Sequence, residues 1–205
     1  MLTARLRAVF VSTMVGATML GAFALPGGAA TAHSTLRSEL LRTSDLSYGW
    51  TVHRLRGQTG VGCLSPLASR QGLQYTARAS ITFIDNGNPP ELTEVVATAK
   101  SPATTYRRAI AALGRCHVVK GVFAGHRLSG SVHRAHFGHF GIASHSYVAN
   151  ASVEGALLFE DVVIVETSHG VAAVAEGNVG GVSTSQFEGF VTLALHRINE
   201  RVRLR

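Results

Sequence analysis

The feature that most constrains this chain is its start. Arg5 and Arg7 precede an uncharged stretch from Ala8 to Leu25, Pro26-Gly27-Gly28 interrupts it, and Ala30-Thr31-Ala32 offers an A-x-A cleavage site ahead of His33. This is the pattern of an export signal over residues 1–32, with the mature chain expected to begin at or near His33. An uncleaved N-terminal anchor is the alternative, because the apolar stretch is close to bilayer-spanning length. Its Gly, Ser and Thr content and the small-residue site favour cleavage. No cysteine lies near that site to carry a lipid. Export leaves 173 of the 205 residues for a single domain, 33–205. A chain of that size buries roughly 70% of its extended surface, enough for a real core.

The expected compartment also sets the reading of the two cysteines, Cys63 and Cys116. An oxidising environment makes a disulfide between them the first expectation, with a structural role. Catalytic thiol chemistry is the weaker alternative. It needs a C-x-x-C motif or an activating neighbour, and His117 beside Cys116 is adjacent in sequence, where side chains seldom meet. The mature chain carries 17 basic and 12 acidic residues, a moderate excess of positive charge. In an exported protein that charge suits solubility, and it also suits contact with anionic lipid or envelope polymer. No basic run with interleaved aromatics argues for nucleic acid.

Local patterns place the elements. Leu36 to Leu41 reads as a short amphipathic helix, followed by Thr43-Ser44-Asp45 punctuation and the only tryptophan, Trp50, read as a packing residue. Thr51 to Arg56 is a strand candidate, and Gly57 to Gly62 a glycine-rich turn without phosphate-loop spacing. Ala77, Ala79, Ile81 and Phe83 alternate with polar residues, Asp85 to Pro90 turns the chain, and Leu92 to Ala99 completes a hairpin. Ser101-Pro102 opens a helix carrying Tyr106, Ala109, Ile110 and Leu113, which Gly114 ends. Val122 to Val132 and Ile142 to Val153 read as strands, and Leu157 to Val165 with Val171 to Ala175 as a hairpin around Ser168-His169-Gly170. Ser185-Gln186-Phe187-Glu188 fits a capping box ahead of a terminal amphipathic helix striped by Phe187, Phe190, Val191, Ala194, Ile198 and Val202. The fold expected is α+β: an antiparallel sheet with helices packed on it, one disulfide and a C-terminal amphipathic helix.

This order of parts resembles the actinobacterial secreted sensor-domain family, the type of the PknH-like extracellular domain of mycobacterial receptor serine/threonine kinases and related lipoproteins. The residues that carry the likeness are Leu40-Leu41, Asp45-Leu46 and Gly49-Trp50, then Cys63, the Leu92 to Ala99 strand, Ser101-Pro102-Ala103 to Tyr106, Leu113 to Cys116, the Val162 to Ala175 hairpin and the amphipathic end. The resemblance implies a sheet and helices that bound a cleft for an unidentified ligand, and it carries over Cys63 and Cys116 as the disulfide. The chain departs from the pattern in having two cysteines where two disulfides are expected, and in having no kinase domain or lipid-attachment cysteine.

The run His133, His136, His139 and His145, with His126 upstream, raises a zinc or copper site. In an extended strand His133 and His139 share a face but lie about 20 Å apart, with His136 pointing the other way. Gly138 and Gly141 disfavour the helix that would gather them, so His133, His136 and His139 are a weak metal candidate. Hydrolytic motifs are missing: no G-x-S-x-G elbow and no H-E-x-x-H. Asp45, Asp85, Glu160 and Asp161 read as surface acids, and a triad such as Ser144, His145 and a distant aspartate can be imagined. Arg197, Arg201 and Arg205 recur every four residues and are expected to form a cationic ridge on the terminal helix, a candidate contact for an anionic surface.

The expectation is therefore a non-enzymatic, exported or envelope-associated sensor-like module that binds an unidentified small molecule or envelope component without a cofactor. A histidine-based metal-binding protein and a secreted hydrolase are the alternatives.

Overall fold

The computed structural model describes residues 35–53, 63, 73–123, 126–153 and 155–202. The expected signal segment, the 57–62 turn and Arg205 lie outside them, as do the side chains of residues 199–202. The described chain opens with a helical turn, α1, over residues 35–39, and a 3-10 turn over Thr43–Asp45. Three strands follow, β1 (Trp50–His53), β2 (Ala77–Asp85) and β3 (Asn88–Thr98), then helix α2 (Pro102–Leu113). Five more strands come next: β4 (Val118–Phe123), β5 (His126–Ala135), β6 (Ala143–Val153), β7 (Ala156–Thr167) and β8 (Gly170–Val179). Helix α3 (Thr184–Val202) ends the described chain.

All eight strands form one antiparallel sheet in the order β1-β2-β3-β8-β7-β6-β5-β4. β1 to β3 form a meander, and α2 then carries the chain across to the far edge. From there β4 to β8 meander back until β8 pairs with β3. The fold is thus α+β, with α2 over one face of the central strands and α1 and α3 over the other.

Coverage on both faces explains the central sequences. Val162, Ile164, Val171, Ala173 and Ala175 join the core under α2, while Val163, Val165, Ala172 and Val174 join the core under α3. The 162–165 and 171–175 stretches of β7 and β8 therefore read as continuous apolar runs. β2 is simpler: Ala77, Ala79 and Phe83 face α3, and Thr82 on the other side shares a hydrogen bond with Thr93 of β3 at 3.0 Å.

Three boundaries differ from the sequence reading. The β2–β3 turn is Asn86-Gly87, with left-handed φ of 47° and 73°, and Asn88 already begins β3. Pro89 and Pro90 fit there because β3 pairs with β8 only from Glu91, so no ladder N–H is lost on that side. Val122 to Val132 is not one strand but parts of β4 and β5, which reverse between the paired residues Phe123 and His126. No Asn-Gly or Pro marks that reversal. Helix α3 starts at Thr184, ahead of Ser185, and Glu188 does not close a capping box: its Oε1 accepts the Gly138 N–H at 2.7 Å. With Phe137 packed edge-on against Phe187 at 5.3 Å, that contact ties the 136–142 loop to the helix.

α1 is held by polar contacts as well as by the buried Leu36, Leu40 and Leu41. Arg197 of α3 donates from Nε to the Leu40 carbonyl at 2.8 Å and from Nη2 to Ser38 O at 3.2 Å, and it pairs with Asp45 at 3.1 Å. Glu94 of β3, wholly buried, accepts the Leu41 N–H at 2.7 Å.

Cys63 and Cys116 are bonded, with their Cα atoms 5.6 Å apart. Cys116 follows α2 directly, its N–H donating to the Leu113 carbonyl at 2.8 Å, so the bond anchors the end of the helix. Closing a loop of 53 residues constrains the unfolded chain. Reduction, or a Cys63→Ser and Cys116→Ser double variant, is expected to lower unfolding free energy by about 2–4 kcal/mol. Chemical denaturation with and without reductant reads that loss directly, and equal midpoints would remove the stabilising role. Among the described residues, no helix is long and apolar enough to cross a membrane.

Candidate functional site

The α2 stripe presents Tyr106, Ala109 and Leu113 to the sheet, with Ile110 at its margin. Beyond Leu113 the chain leaves the helix through Gly114 and turns at Cys116-His117 into β4, while β5 and β6 run beneath. A cavity of about 300 Å³ opens between these parts, lined by residues including Ile110, Leu113, Cys116, His117, Val132 and Arg134, with His145 and Tyr147 on its β6 side. Strand alternation places them. Arg134 is two residues from Val132 on β5, and His145 two from Tyr147 on β6, so each pair shares a face, and Arg134 lies directly opposite Tyr147 in the β5–β6 ladder.

Tyr106 and His145 form the polar centre. The Tyr106 hydroxyl lies 2.8 Å from His145 Nδ1, with ring centroids 5.9 Å apart. Burial is the main cause that pushes the Tyr106 phenol up to about 12, and Glu166 and Tyr147 add to it. Burial also lowers His145, and the Arg134 guanidinium lowers it further. Burial raises Tyr147. At neutral pH the phenol therefore keeps its proton and the imidazole is uncharged. When Tyr106 donates to Nδ1, the remaining imidazole proton sits on Nε2, leaving a second donor beside Arg134. Arg134 is exposed and has no hydrogen-bond or ion-pair partner among the described residues. The arrangement can hold an acceptor-rich group against apolar walls.

The other candidates are dispersed. His133 is exposed on β5, with Nε2 2.9 Å from Ser131 Oγ, and it faces away from Arg134 by strand alternation. His136 and His139 are exposed in the 136–142 loop. Among the described residues, no group of three or more His, Cys, Asp or Glu side chains lies close enough to hold a metal ion. Ser144 and His145 are neighbours on one strand and so point to opposite faces. Ser144 Oγ accepts the Phe140 N–H at 3.1 Å while His145 meets Tyr106, so they do not form the start of a triad.

The acids have local roles. Asp45 pairs with Arg197, and Asp85 Oδ1 accepts from Asn86 at 2.9 Å. Glu160 and Asp161 are not surface residues as expected but are buried, on opposite faces of β7. Of the expected cationic ridge only the first side chain lies among the described residues. Arg197 is half-buried and committed to α1, the Arg201 side chain lies outside the described residues, and so does Arg205.

Sequence reading missed Tyr106, His117, Arg134 and Tyr147 as site residues. Alternation through Val132-His133-Arg134 was the available signal, since it puts a cation on the apolar face of β5. Nothing local links Tyr106 to His145, 39 residues away. No protein-family model matches the chain, and no curated protein matches it.

Proposed function

We infer that this is an exported, sensor-like module that binds a ligand in the cavity between the C-terminal end of α2 and strands β5 and β6. The observation that carries the reading is the cavity itself: mostly apolar walls with a few convergent polar groups, the usual make-up of a small-molecule site. The disulfide at its edge supports an extracytoplasmic setting and keeps the α2 end in place. The resemblance to the actinobacterial secreted sensor-domain family supports the same reading, since that resemblance implies a ligand cleft bounded by sheet and helices.

The test is native mass spectrometry of the protein purified from an exporting host, comparing the wild type with Ile110→Trp. Ile110 is partly exposed at the cavity wall, so the larger ring is expected to fill the space without unfolding the domain. A retained small-molecule mass should accompany the wild type and be reduced at least tenfold in the variant. A retained mass of equal abundance in both proteins would place the ligand elsewhere and end this reading.

A further inference from the structure

The class of ligand follows from the charges around the cavity, and this inference rests on the cavity being the binding site. Among the described residues, the polar side chains lining it are Arg134, His117, His145 and the Tyr147 hydroxyl, a set dominated by donors. Arg134 brings a full positive charge with no ion-pair partner among the described residues. His145, held neutral by burial and by that same arginine, brings a hydrogen bond without charge. Glu166, the carboxylate that acts on Tyr106, is not among the cavity-lining residues. Among the described residues no acidic side chain lines the cavity, so a cation would meet repulsion from Arg134 with none of them to offset it.

The size of the charge matters too. A single guanidinium matches a monoanion and suits the two oxygens of a carboxylate, to which arginine donates in parallel. A phosphate monoester carries about −1.5 to −2 at neutral pH and would leave charge unmatched beside apolar walls. Those walls are Ile110, Leu113, Val132 and the faces of Cys116 and Tyr147. They suit a short hydrocarbon or aromatic body, and a volume of about 300 Å³ is at the small end of ligand sites.

We propose that the cavity takes a small monocarboxylate amphiphile, its carboxylate held by the Arg134 guanidinium with the His145 imidazole as a second donor, and its apolar body laid between α2 and β5. Arg134 is then the residue that sets the ligand class.

The test uses the exported protein with its disulfide intact and three probes of equal chain length: octanoate, octan-1-ol and octylammonium. Amide chemical shifts of Leu113, Val132 and Tyr147 are followed by NMR at neutral pH. Octanoate should shift these amides and bind about tenfold more tightly than octan-1-ol, and octylammonium should bind more weakly than either. Arg134→Gln, an exposed position, should bring octanoate to the affinity of octan-1-ol and leave octan-1-ol unchanged. Octan-1-ol binding as tightly as octanoate, or octylammonium binding best, would overturn the carboxylate assignment while the cavity stands as a binding site. If none of the three shifts those amides, the cavity reading and this inference both fail.

Discussion

Unfolding free energy is expected to fall as pH rises from about 5 to 8, the reverse of a protein stabilised by paired surface carboxylates. Glu94 dominates this behaviour. Burial raises its carboxyl from 4.5 to about 8, only partly opposed by the Leu41 N–H and by Arg197, and Asp45 adds to the rise. A carboxyl whose folded value exceeds its unfolded one holds its proton more tightly in the native state. Its contribution is fully present below about 4.5 and is lost as pH climbs through about 8. A shift of that size corresponds to about 4–5 kcal/mol as an upper bound.

Asp161 and Glu176 act in the same direction. They are directly opposite across the β7–β8 ladder and buried on the α3 face. Burial raises them to about 6 and about 7, and the charge of Asp161 adds to the rise at Glu176. His145 has the opposite sign: its lowered value makes its contribution present above the ordinary imidazole range and lost as pH falls through it. Thermal unfolding between pH 5 and 8.5 checks the balance. Glu94→Gln keeps an oxygen for the Leu41 N–H but cannot ionise, so it should flatten most of the decline and be the more stable protein at pH 8. A wild-type melting temperature that is constant or rises over this range would show that Glu94 is not held protonated.

Phe190→Ala is expected to lower unfolding free energy by about 3–5 kcal/mol. Phe190 is 7% exposed and meets the Trp50 ring edge-on, with centroids 5.5 Å apart and planes at 81°. Truncation removes the ring from the core under α3 and also removes an aromatic pair worth about 0.5–1.5 kcal/mol beyond its buried area. It loosens the contact between α3 and β1 at the sheet edge. Trp50 is the only tryptophan, so its fluorescence reports the change locally while urea denaturation measures the total. A loss below about 1 kcal/mol would make α3 peripheral to the core.

Elements defined by local chemistry were legible in the residues. Ser101-Pro102 opens α2 because proline suits a first helical turn, and the helix runs Pro102–Leu113 with Gly114 at its cap. The alternation from Ala77 to Phe83 marks β2 because a half-buried strand shows its period in its side chains. Cys63 and Cys116 were paired by the chemistry of the expected compartment, and the bond is present. The terminal stripe of Phe187, Phe190, Val191, Ala194 and Ile198 is buried as its spacing required.

What stayed hidden depends on which segments the topology brings together. Nothing adjacent to Glu94 in the sequence marks it as buried, yet its place under α1 makes it a core carboxyl. Arg197 looked like the first step of a surface ridge, but its partners Ser38 and Leu40 lie 159 and 157 residues away in the chain. Tyr106 and His145 meet only because α2 crosses the sheet and β6 returns beneath it. Periodicity and turn chemistry are properties of a few consecutive residues, so the sequence alone determined α2, β2, the apolar stripe of α3 and the pairing of the two cysteines. Burial, charge pairing and the cavity are properties of residues that meet from distant parts of the chain, and these only the tertiary structure decided.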